Sequence, residues 1–121
     1  MVSTYGYAAL ADIENFTGID YSAINATKFT QVTIDAKISI AEKMVNGYLG
    51  VSSDQTTTDG IFTATVVITA KILHNNLIEL GVHGKEEHTL EIIDMSIPAI
   101  LRMFLGYDAG VDAIPMSGAD R

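Results

Sequence analysis

The sequence has no cysteine and no tryptophan, only two prolines, and little positive charge: seven Lys and Arg stand against 15 Asp and Glu, a formal net charge of −8. Each shortage excludes something. Without Cys there is neither a disulfide framework nor a cysteine-ligated zinc site. Without a basic patch there is no electrostatic footprint for phosphate, so sequence-specific nucleic-acid binding is not expected. No Gly-rich phosphate loop occurs, because the glycines stand singly at helix stops or turns. The opening residues, MVSTYGYAALADIENF, carry no basic region and no apolar run of signal-peptide length. Internal repeats and low-complexity tracts are missing as well.

What is present is apolar bulk. The chain of 121 residues has the size of one domain. It is 48% hydrophobic, with a mean hydropathy of +0.27. A domain of this size hides roughly two-thirds of the surface its unfolded chain exposes. The composition therefore predicts more apolar surface than one small core absorbs, and with it self-association.

The stretch TATVVITAKILHNNLIELGVHG, Thr63 to Gly84, decides the fold class. A membrane span needs about 20 mostly apolar residues. Here Lys71, His74, Asn75, Asn76 and Glu79 interrupt the window, so no span is expected. A half-exposed strand needs strict alternation, and Val66, Val67 and Ile68 are consecutive. At helical spacing Phe62, Val66, Thr69, Leu73, Leu77 and Leu80 form one stripe, widened by Ile61, Ala64, Ile68 and Ile72. The spacing predicts a helix over 60–80, with Asp59 as N-cap and Gly81 as stop. Its β-branched first half is apolar nearly all round, so packing rather than propensity must hold it.

Elsewhere the same signals predict a short helix over 8–16, stopped by Gly18, then a loop, DYSAINATKF. A long helix over 31–49 follows, capped by Thr30 and closed by Gly50. Its core stripe is Ile34, Ile38, Ala41, Val45, Tyr48 and Leu49. Asp35, Lys37, Ser39, Glu42, Lys43 and Asn46 are expected in water, and Gly47 is a candidate for close approach of a neighbour. The polar linker VSSDQTTTD is short enough to return the chain antiparallel. Near the end, Ser96 caps a helix with Pro98 in its first turn and Gly106 at its close. The expected fold is mainly α: a small helical domain of about four helices, two of them long and antiparallel, over residues 1–107. Room remains for a short β segment near 89–93, and an extended C-terminal arm occupies 108–121.

Candidate chemistry is thin. His83 and His88 flank Glu86 and Glu87, but no metal-ligand spacing results, and a solvated charged loop accounts for them. His74 falls on the polar side of its helix, and Ser96 has its cap role. Two matches to the glycosylation pattern, at Asn15 and Asn25, read as chance. Neither catalytic residues, nor a cofactor, nor a metal site is expected.

The order of parts resembles the head–tail connector family of tailed viruses, also called adaptor or head-completion proteins. YAALADIENFTGID is similar to the family's opening helix and its T-G-I turn. FTQVTIDAKISIAEKMVNGYLG resembles the next helix with its Y-L-G close, ITAKILHNNLIELG the long helix, and SIPAILRMFLGY the late I-P segment. The likeness spans residues 5–107. The chain departs from the pattern in being poor in Arg, and its acidic tail matches no motif. The resemblance implies a structural virion protein of the neck, made in the host cytoplasm, that forms a homo-oligomeric ring of roughly a dozen copies. Its partners would be the portal protein and the next tail component, and DNA would pass through its channel without being gripped. Contacts would then fall on Ile97, Pro98, Leu101, Phe104 and Tyr107, and on Ile114, Pro115 and Met116 of the arm. The first five suit the protomer's own core equally well. The rival readings are a small helical regulator that dimerises through its apolar face and a minor enzyme subunit with no site of its own.

Overall fold

The computed structural model describes residues 3–79 and 95–106. Over them the protein is a helical domain, with no strand among the described residues. The elements are α1 (Leu10–Thr17), α2 (Tyr21–Ile24), α3 (Gln31–Leu49), α4 (Asp59–Glu79) and α5 (Ile97–Leu105). The segment expected as a β strand, 89–93, the arm at 108–121 and the proposed stop at Gly81 lie outside the described residues.

Local signals set the helix ends. The Thr30 hydroxyl accepts from Thr33 N at 3.1 Å and opens α3. Gly50 closes it in the left-handed region, φ 75°, which a side chain would strain. Gly18 ends α1 in the same way. Ser96 caps α5 with Pro98 in its first turn, and Gly106 follows its end. One cap shifts: the Thr58 hydroxyl accepts from Ile61 N, and Thr58 O accepts from Phe62 N, so Thr58 is the cap of α4. Asp59 instead sits in the first turn, where its charge suits the helix dipole. The loop predicted after Gly18 contains the single turn α2, capped by Asp20 through Ala23 N.

Helix α4 is the axis of the domain, packed by α3, α5 and α1. This is why its first half can be apolar all round: the seven residues from Ala64 to Ala70 are all buried. Thr65 and Thr69 are fully buried, and their hydroxyls donate back to Ile61 O at 2.8 Å and Thr65 O at 2.7 Å. The two hydroxyls thus need no hydrogen-bond partner outside their own helix. Phe62, expected on the core stripe, is 38% exposed. Helices α3 and α4 run antiparallel. Phe29, Thr33 and Ile34 line one cavity with Leu73 and Asn76 at one end. At the other, Tyr48 of α3 and Gly60 of α4 both reach the C-terminal end of α5. Gly60 is the close approach in this fold, since a Cβ there would strike the Phe104 carbonyl, whereas one at Gly47 would meet nothing.

The face of α3 is the main correction. Ile34, Ile38, Ala41 and Val45 are buried as expected, but so are Asp35, Glu42 and Asn46. The cause is the segment before α1, which folds back over that side. Glu42 is fully buried and its carboxylate accepts from Ser3 Oγ at 2.5 Å, Tyr5 N at 2.8 Å and Tyr7 N at 3.0 Å. Asn46 Oδ1 accepts from Tyr7 Oη at 2.7 Å, while its Nδ2 donates to Ser53 O. The Tyr7 hydroxyl in turn accepts from Gln55 N at 3.0 Å. The N-terminal segment, α3 and the α3–α4 loop are tied through these two side chains.

Candidate functional site

Two outward surfaces follow from this packing. With the polar flank of α3 covered, its solvent face is the remaining stripe: Val32, Ala36, Ile40, Lys43 and Gly47, spaced by four, four, three and four residues. Val32 is 58% exposed and Ile40 43%. The stripe is apolar or small except for Lys43. Sequence reading missed it because Asp35, Glu42 and Asn46 were assigned to water. A count from Val32 at steps of four, four, three and four follows it.

The second surface is α5. Ile100 and Leu101 enter the core, and Ile97 and Phe104 pack half-buried against it. Pro98, Arg102 and Met103 share the opposite face and are exposed. Of the contact residues expected from sequence, then, Leu101 is buried within the protomer, Ile97 and Phe104 are partly covered, and Pro98 is presented. Tyr107, Ile114, Pro115 and Met116 lie outside the described residues. The α5 end is fixed by the Tyr48 hydroxyl, which donates to Gly106 O. Between α1 and α4 runs a groove of about 420 Å³ lined by Asn15, Phe16, Phe62, Thr63 and Val66 among others.

Two tyrosines titrate abnormally. Burial pushes the Tyr21 phenol up to about 12, opposed by its hydrogen bond to Thr17 Oγ1 at 3.1 Å. Tyr7 is also raised, again chiefly by burial. Both are buried in the core, and Tyr7 also lines a cavity with Ser3, Asp12 and Asp35. Among the described residues no group of three or more His, Asp or Glu is placed to hold a metal ion. His83, His88, Glu86 and Glu87 lie outside them. No described helix is long and apolar enough to cross a membrane. No family model matches the chain, and neither a curated protein nor a solved structure matches it.

Proposed function

We propose that this chain is a head–tail connector subunit of a tailed virus, a structural protein that assembles as a ring between portal and tail and prolongs the DNA channel. The observation that carries the reading is the order of helix ends. A short helix stops at Thr17-Gly18-Ile19, a long one closes at Tyr48-Leu49-Gly50, and a last one opens at Ser96-Ile97-Pro98. These are the points at which the sequence resembles that family. Support for many copies comes from the apolar stripe of α3, which no described part of the protomer covers. The acidic balance suits a conduit, since like charge does not grip passing phosphate.

The test is to co-express the full chain with the portal protein of the same genome and image the product by electron microscopy. A closed ring of this chain seated on the portal is expected. A chain that stays dimeric and ignores the portal would overturn the connector reading in favour of a helical regulator.

A further inference from the structure

Asp35 is not explained by the fold. It is 4% exposed, and only one of its oxygens is engaged: Oδ1 accepts from Gln31 Nε2 at 3.0 Å. Its Oδ2 is buried and meets no hydrogen-bond donor among the described residues. A buried carboxylate oxygen left so is costly, because it gives up water and gains nothing. The helix dipole does not account for it, since Asp35 lies beyond the first turn of α3 and the dipole effect fades within that turn.

Asp35 lines a cavity of about 200 Å³ between the N-terminal segment and the first turns of α1 and α3. A second carboxylate, Asp12, lines it too, with Ser3, Gly6, Tyr7, Ala8, Ala9 and Gln31 around them. The Asp12 carboxylate accepts from Ala9 N at 2.9 Å through Oδ2 alone. Ser3 is spent on Glu42 and Gly6 N. Among the described residues the cavity is therefore lined by two carboxylates and by no cationic side chain.

We propose that this cavity receives a cationic side chain, an arginine guanidinium carried by a protein partner, with Asp35 as its buried counter-charge and Asp12 as the second acceptor. A planar, weakly hydrated guanidinium suits a partly dry site with carboxylate acceptors. Its head and part of its stem match the volume, whereas a bare divalent cation would want six or more oxygens closing tightly around it. The net charge of −8 favours approach of a basic partner. The inference is independent of the connector reading, since a regulator would use the same cavity.

The probe is N-acetyl-arginine methylamide, titrated into the full-length ¹⁵N-labelled chain, with N-acetyl-norleucine methylamide and calcium chloride as controls. Saturable amide shifts are expected at Gly6–Ala9, Asp12 and Gln31–Asp35 with the arginine probe only. Asp35→Asn keeps the acceptor for Gln31 and should weaken binding about tenfold or more, the loss expected for one charge-assisted hydrogen bond. The same variant should be at least as stable as the parent in urea, because it removes a buried charge. Asp12→Asn should weaken binding less. The proposal is overturned if the arginine probe causes no shifts, or if norleucine or calcium reproduces them. Undiminished binding by Asp35→Asn, or a Asp35→Asn protein less stable than the parent, would overturn it equally, the latter by giving the carboxylate a structural role.

Discussion

Two helical glycines should answer a methyl group in opposite directions. Gly47 sits on the outer face of α3 where an added Cβ meets nothing. Gly47→Ala should raise the urea-unfolding free energy by about 0.5–1 kcal/mol, because alanine loses less backbone freedom on folding. At Gly60 the added carbon would press on the carbonyl of Phe104, a backbone group with nowhere to go. Gly60→Ala should cost about 1–3 kcal/mol by the same measurement, the scale of an overpacked site. Glu42 is the other decisive residue. Glu42→Ala leaves the Ser3 hydroxyl and the amides of Tyr5 and Tyr7 without their acceptor. A loss of about 3 kcal/mol or more is expected, since each bond to a charged acceptor contributes about 1.5–3 kcal/mol. Hydrogen exchange should show the Tyr5 and Tyr7 amides deprotected while α4 stays slow. The stripe Ile34, Ile38, Ala41, Val45 was legible in the sequence because its period is local. The burial of Glu42 and Asn46 was not, because the N-terminal partners that cover them lie 35 to 39 residues away and a Glu in a helix says nothing about which segment will fold over it.

At the scale of elements, legibility tracks how local the signal is. The ends of α3 and α5 were readable from Thr30, Gly50, Ser96 and Pro98, each of which acts within one turn. The helix α4 was readable despite its Val and Thr because its spacing, unlike its propensity, excludes a half-exposed strand. The single turn α2 was not readable, since four residues have no helical stability of their own. What holds it is tertiary: Tyr21 is buried and tilted against Phe29 with ring centres 5.5 Å apart. That anchor carries a pH signature. The core accepts the neutral phenol, whose pKa stands at about 12 in the folded chain against about 10 unfolded. The stabilisation is complete below about pH 10 and drains away as pH rises toward about 12. Urea midpoints should fall across that window, and Tyr21→Phe should flatten the fall while leaving the share due to Tyr7, whose pKa is raised as well.

At the scale of the whole molecule, the proposed ring sets two forces against each other. Each copy brings a charge of −8, so neighbours repel. What draws them together on this reading is the α3 stripe, whose Val32 and Ile40 are the exposed apolar groups that the described protomer leaves uncovered on that helix. Added salt screens the repulsion, with a Debye length of about 10 Å at 0.1 M and about 3 Å at 1 M, and leaves apolar burial intact. Ring formation on the portal should therefore increase with ionic strength, whereas capture of a guanidinium by Asp35 should weaken. Mass photometry across a salt series reads the first and the arginine titration reads the second. A combined Val32→Glu, Ile40→Glu variant makes the assignment to the stripe specific. Both sites face solvent, so its unfolding free energy should stay within about 0.5 kcal/mol per site of the parent. Its rings should be lost at low salt and return incompletely at high salt, because the added carboxylates remove apolar contact that no screening restores. Intact rings in that variant would place the contacts between copies elsewhere, with the exposed face of α5 at Pro98 and Met103 next to be altered.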